Sequence, residues 1–263
     1  SYGIYVGTDV RGAEAAGSFY IPETIATSVC TEAAGPVRQF KRIRAKEGGA
    51  LAWEEAPLRT HKMQERIHKE ILPDITYTGN KGFTLGEVFD RDISLNEFLA
   101  QLSEEDLCCI VRGEGMCSPK VTPGTAAAFG GVTESLQKLG IPCGCCADGP
   151  SGIRMDCGTP AFSMPNGTCL ACTFDTELSE ELYEMEGAEL RKNRIDTLLG
   201  PGINIHRNPL NGRNFEYFSE DPYLTGIMAS AQLKGMARFG VTGTIKHFAA
   251  NNQEYHRRLL DSV

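Results

Sequence analysis

The sequence predicts an α/β fold: the first part of a TIM-like (β/α) barrel, preceded by the last strands of a β-sandwich. Three observations predict it. From Ile141 onward, short apolar β-type stretches alternate with amphipathic helical ones, the rhythm of βαβ units around a mostly parallel sheet. The loops after the strands are long and polar while the helix-to-strand turns are short, as in a barrel whose active face is the carboxyl end of its strands. The opening residues instead hold two β-rich stretches and a turn, a pair that cannot stand alone in water.

Tyr2 to Val6 and Gly17 to Ile21 are the two opening strands, turned at Gly7-Thr8-Asp9. Residues 1–22 are therefore read as the end of a sandwich. Residues 23–76 are mixed and charged, with weak helical periodicity from Trp53 to Ile71, and read as a connecting segment wrapped on a neighbour. The barrel part is assigned to 77–263. Ser94 to Leu102 forms a helix with Leu95, Phe98, Leu99 and Leu102 on one face. Ser103 caps a second helix, Glu104 to Val111, whose first turn carries Glu105 and Asp106.

After a glycine- and proline-rich loop, Ile141 to Ala147 is a strand ending in the turn Asp148-Gly149-Pro150. Asp175 caps a helix running to about Asn193, with Leu178, Leu182, Met185 and Ala188 as its apolar side. Ile195 to Leu199 is a buried strand closed by Gly200-Pro201-Gly202. Asp221-Pro222 opens a helix by the N-cap and proline-at-N1 rule, and Gly240 closes it. Val241, Thr242, Thr244 and Ile245 then read as a short buried strand that delivers Lys246 and His247.

Composition narrows the function. A net charge of −8, with no basic tract, argues against a nucleic-acid partner. No apolar run reaches membrane-spanning length. The ten cysteines, several adjacent or closely spaced, fit reduced thiols in a cytoplasm better than a disulfide framework. Cys169 and Cys172 form a CxxC, but no second one lies at finger spacing, so no metal site is assigned. No GxGxxG follows a strand, which disfavours a dinucleotide fold, and no cofactor is expected. Asn166-Gly167-Thr168 matches a glycosylation sequon and is read as a turn. Ser1 and Val263 both look like cut points in a longer polypeptide.

The polar residues at the strand ends are Asp148, Arg154, Arg213, Lys246, His247 and Arg257. Arginine forks donate two hydrogen bonds and a carboxylate accepts two, a mixture suited to the hydroxyls of a neutral pyranose. A phosphosugar would also want a glycine-rich helix N-terminus, for which Gly200-Pro201-Gly202 is too weak. Taken singly, Arg213 or Arg257 reads better as a surface ion-pair residue. The weight lies in six such groups falling at strand ends.

Three stretches, ADGPSGIRMD, LLGPGINIHRNPLNGRNFEYFSEDP and IKHFAANNQE, resemble the N-terminal barrel domain of glycoside hydrolase family 3, the β-glucosidase type. The resemblance is dense from about Ile141 to Val263. It implies retaining hydrolysis of terminal β-D-glucosyl or related residues, with the six named side chains binding the hydroxyls of the −1 sugar. The opening YGIYVGTDVRGAEAAGSFYI resembles the end of a fibronectin-III-like domain. Its place before the barrel is similar to that in circularly permuted members.

The family's nucleophilic aspartate, in a Ser-Asp-Trp motif, and its acid/base glutamate fall outside this chain, so no catalytic carboxylate is assigned here. The expected partners are a β-glucoside or oligosaccharide and the remaining segments of the same enzyme. Two other readings stay open: a non-catalytic sugar-binding fragment, and a barrel lyase or aldolase using Lys246 as a Schiff base.

Overall fold

A computed structural model describes residues 1–28, 35–60, 62–72 and 74–259. Val263, read as a cut point, and residues 29–34, 61 and 73 of the segment read as a connection lie outside the described residues. The chain divides into two compact units, one over Ser1–Lys69 and one from Glu70 onward.

The first unit holds two separate two-stranded sheets. Strand β1 (Tyr2–Val6) pairs antiparallel with β2 (Glu14–Phe19), and Tyr2 lies opposite Phe19 with the rings stacked at 5.0 Å. A second hairpin joins β3 (Lys41–Ala45) to β4 (Leu51–Glu55), setting Ile43 opposite Trp53. Glu54 accepts from Arg42 Nε at 2.7 Å and Arg44 Nη1 at 3.1 Å, a cross-strand charge pairing of the kind that fixes register. This corrects the sequence reading: Trp53 lies in a strand, and helix α1 covers only Met63–Glu70. β4 contributes only its last residues, Trp53 to Glu55, to that stretch, too few for a strand's alternation to stand out from helical periodicity.

In the second unit, α2 (Leu85–Asp90), α3 (Leu95–Ala100) and α4 (Glu104–Arg112) each begin with a reciprocal capping box. The pairs are Thr84 with Glu87, Ser94 with Glu97 and Ser103 with Asp106, each satisfying two otherwise orphaned donors. Strand β5 (Ala127–Gly130) leads into α5 (Glu134–Lys138), and Phe98, Leu102, Leu136 and Leu139 form a small core among these helices. Leu95, expected on that face, is exposed.

The main sheet has the order β5, β6 (Cys143–Asp148), β7 (Thr197–Leu199), β8 (Thr242–Gly243). β6, β7 and β8 run parallel, whereas β5 pairs antiparallel with β6. The sequence reading omitted β5, because AAFG carries little β signal. It also overextended the last strand: β8 is two residues long, and Ile245 is partly exposed. Lys246 continues the line only as a single bridge to Gly202.

Helices α6 (Gly167–Ala171), α7 (Thr176–Lys192) and α8 (Pro222–Ala237) complete the unit. Asn166, the sequon residue, caps α6. Tyr183, Leu190, Ile195, Leu198, Met228 and Met236 form the core between α7, α8 and the sheet.

The buried face of α7 is Ser179, Tyr183, Glu186, Gly187 and Leu190; of the expected Leu178-Leu182-Met185-Ala188 side, Leu182 packs partly buried on the core while Leu178 and Met185 are exposed. The reason is close approach of the helix backbones. A Cβ on Gly235 would stand 2.4 Å from the Glu180 carbonyl oxygen, and one on Gly187 3.0 Å from Met236 Cα. Two glycines thus select the contact face over the more apolar one. No helix among the described residues is long and apolar enough to cross a membrane.

Candidate functional site

Three parallel strands deliver the site from one edge of the sheet. β6 ends on Asp148, whose carboxylate accepts from Gly149 N–H at 2.9 Å. Gly149 has φ 130, and a Cβ there would lie 1.9 Å from the Gly152 carbonyl oxygen, so only glycine fits this turn. After β7, the segment through Gly202 runs against a short 3-10 turn, Asn214–Glu216. Gly202 permits this: a Cβ would meet the Tyr217 ring at 3.0 Å and the Glu216 carbonyl oxygen at 3.1 Å. The turn is fastened by Thr168, whose hydroxyl donates to the carbonyls of Asn214 and Tyr217 at 3.0 and 2.8 Å. After β8 come Lys246 and His247, joined by a cis peptide bond.

These elements bring charges together. Lys246 Nζ donates to Asp148 Oδ1 at 2.8 Å and lies 3.6 Å from Glu216 Oε2. Arg213 Nε bonds the other Glu216 oxygen, and its Nη1 stands 3.5 Å from Glu254. Arg213 Nη2 is 2.7 Å from His247 Nε2. A guanidinium can only donate, so Nε2 is the unprotonated nitrogen and Nδ1 carries the hydrogen. Nδ1 is 3.1 Å from both Asn204 Oδ1 and the Tyr217 hydroxyl.

Burial disfavours charge on Asp148, but the Lys246 hydrogen bond and ammonium charge, with Gly149 N–H, outweigh it and hold the carboxyl below its ordinary value. His247 is held below the usual imidazole value by burial first, then by the charges of Arg213 and Lys246. Glu254 is also lowered, first by its bond from Asn251. Three carboxylates thus meet the cations Lys246, Arg213 and Arg257, and the site is close to neutral overall.

Asp148, Arg154, Arg213, Phe215, Glu216 and Lys246 line one cavity of about 260 Å³. Four of the six expected residues are therefore on its wall. His247 stands behind Arg213 rather than on the wall. Arg154 is largely exposed and bonds Asp156 at 2.9 Å. Arg257 is half exposed, pairs with Glu254 at 3.0 Å and does not line the cavity. Glu216 was missed by sequence reasoning, as were Asn204, Tyr217 and Glu254. The signal for Glu216 lay three residues after Arg213, the spacing of an ion pair within one turn. Among the described residues no group of three His, Cys, Asp or Glu side chains is placed to hold a metal ion.

Residues 96–258 match the Glycosyl hydrolase family 3 N terminal domain. The chain belongs to glycosyl hydrolase family 3. Within that family it is 55% identical, over all 263 residues, to a beta-glucosidase of Ruminococcus albus, and it spans 28% of that protein's length. It is 39% identical over 178 residues to beta-glucosidase A of Butyrivibrio fibrisolvens, covering 67% of this chain and 20% of that one. Among solved structures, a beta-glucosidase from Paenibacillus barengoltzii superposes with a TM-score of 0.81 at 52% identity, over 95% of this chain and 28% of that one. Beta-glucosidase 3B from Thermotoga neapolitana in complex with glucose gives 0.54 at 41% identity, over 60% and 23%. The family 3 match covers the whole cavity wall, from Asp148 to Lys246.

Proposed function

We propose that this chain supplies the −1 sugar-binding wall of a retaining β-glucosidase acting on terminal β-D-glucosyl residues. The observation that carries the proposal is the cavity of about 260 Å³ in which Asp148, Arg213 and Lys246 converge from the segments that follow three parallel strands. Cations and carboxylates that pair with one another across the hollow, Lys246 with Asp148 and Arg213 with Glu216, suit an uncharged polyol, since a pyranose hydroxyl both donates and accepts. The beta-glucosidase names of the relatives support the same reading.

In this reading Asp148, Arg154, Arg213 and Lys246 bond the sugar hydroxyls, His247 holds Arg213, and Arg257 acts through Glu254. Residues 77–263 then form the first part of a TIM-like barrel. Residues 1–22 close a fibronectin-III-like sandwich and 23–76 link the two, in the order of circularly permuted members. The antiparallel pairing of β1 with β2 supports the sandwich part. Retaining hydrolysis needs two carboxyl groups about 5–5.5 Å apart across the glycosidic bond. We assign both to the remaining segments of the same enzyme. A reducing cytoplasm is proposed on the cysteine pattern alone.

A Schiff-base lysine needs an uncommitted amine, and Lys246 Nζ contacts two carboxylates, so the lyase reading draws no support. The test is turnover of 4-nitrophenyl β-glucoside by the enzyme carrying this chain. Release of nitrophenol, lost in Asp148→Asn, is the expected result; activity unaffected by that substitution contradicts the proposal.

A further inference from the structure

We propose that Tyr183, a core residue of α7, is a positioning residue for Asp148: from behind the cavity it holds the turn on which that carboxylate stands. The proposal rests on reading the cavity as a sugar site. The Tyr183 hydroxyl donates to the Pro150 carbonyl at 2.6 Å, and Pro150 is two residues from Asp148. Gly149, Pro150, Ser151 and Gly152 line the cavity, whereas Tyr183 does not.

The turn is fastened at several points. Arg154 N–H closes it by donating to the Asp148 carbonyl at 2.8 Å. From outside the turn, Met164 N–H donates to the Ser151 carbonyl at 3.0 Å, and Tyr183 takes the carbonyl one residue earlier. Pro150 has no N–H, so that carbonyl is its one backbone group through which a hydrogen bond can hold it.

Packing alone does not account for the hydroxyl. Tyr183 is 1% exposed and belongs to the core with Leu190, Leu198 and Met228. A phenylalanine would fill nearly the same space, and a buried hydroxyl is costly unless it is hydrogen-bonded. Ser179 and Glu186, on the same buried face of α7, have side-chain oxygens with no hydrogen-bond partner among the described residues. Of the three polar side chains on that face, Tyr183 alone is bonded there, and its partner is the turn that carries Asp148. Burial first, and then the proximity of Glu186, push the phenol well above its ordinary value, so it keeps its hydrogen and donates at neutral pH.

The test uses Tyr183→Phe in the enzyme carrying this chain, which removes the donor and keeps the ring. Glucose and its 2-, 3-, 4- and 6-deoxy analogues are measured as competitive inhibitors of 4-nitrophenyl β-glucoside turnover, well below the melting temperature of each protein. A displaced Asp148 weakens the hydroxyl contacts it makes and spares the others. The expected result is a roughly tenfold rise in the inhibition constant of glucose, with a rise of at most about twofold for at least one deoxy analogue, the one that lacks a hydroxyl bonded by Asp148. Incorporation of 4-fluorophenylalanine at position 183, which fills the place of the hydroxyl without donating, serves if the phenylalanine variant does not fold. A uniform rise across all the sugars, the mark of a merely structural role, or no rise for glucose overturns the positioning role and leaves the glycosidase reading intact. A wild-type enzyme that releases no nitrophenol overturns both.

Discussion

Two carboxylates lie almost equally deep in this molecule and do opposite things. Glu216 is 5% exposed and meets two cations, Arg213 through one oxygen and Lys246 near the other. Glu186, on α7, is 1% exposed, and neither of its oxygens has a hydrogen-bond partner among the described residues. Burial pushes Glu186 up to about 8, which keeps it protonated at neutral pH. Burial by itself does not make a site. What distinguishes the carboxyl ends of the strands is that each charge there meets an opposite one: Lys246 meets Asp148 and Glu216 from other segments, and Arg213 meets Glu216 within its own loop.

The largest expected effect comes from removing the hub of that arrangement. Lys246→Met leaves Asp148 and Glu216 without their shared cation, and kcat/KM on a β-glucoside is expected to fall on the order of 100-fold. Steady-state kinetics beside a thermal melt separates this from unfolding. Glu216→Gln keeps the shape but removes the charge that orients Arg213. A fall of about tenfold, with glucose inhibition weakened in parallel, is the expected result.

Acidity sharpens the contrast, because the two regions carry opposite signs. Asp148 and His247 are both held low, so their stabilisation is present at neutral pH. It is lost as pH falls, for His247 below the ordinary imidazole value and for Asp148 below the ordinary carboxylate value. Glu186 is held high, so its contribution is intact below the ordinary glutamate value and declines as pH rises towards about 8. Glu186→Gln is therefore expected to remove a decline in unfolding free energy that runs from the ordinary glutamate value up to about pH 8, while His247→Asn removes a rise in unfolding free energy that ends near the ordinary imidazole value. Urea titrations between pH 5 and pH 9 check both signs.

The smallest effect belongs to the rim. Arg154 is 62% exposed at its side chain and pairs with Asp156 in solvent, where water and salt screen the attraction. Arg154→Ala is expected to leave the melting temperature almost unchanged and to lower kcat/KM by no more than about tenfold, through a lost hydroxyl contact. Parallel melts and kinetics against Lys246→Met measure the difference between rim and hub.

Much of this was legible in the sequence, for identifiable reasons. The capping residues Ser94, Ser103, Asp175 and Asp221 announced their helices through local chemistry that tertiary packing did not override. Asp148, Arg213 and Lys246 stood out because they follow apolar strands, and strand ends in such a sheet converge. Other features depended on long-range contacts. The inward face of α7 is set by Gly187 and Gly235, two residues without side chains to carry a hydrophobic signal. Arg257 and Arg213 share Glu254 as a partner, but only Arg213 is also held by Glu216 and sheltered from solvent, a difference that residue type does not show. Glu216 reads as one more surface acid until the fold sets it under Lys246.

The most direct test of the central claim is a crystal structure of the enzyme carrying this chain with glucose bound. The account predicts Asp148 oxygens and Lys246 Nζ within about 3.2 Å of sugar hydroxyls, with Arg213 donating to the same ring. Glucose bound away from Asp148, with the Lys246 pair untouched, would contradict it.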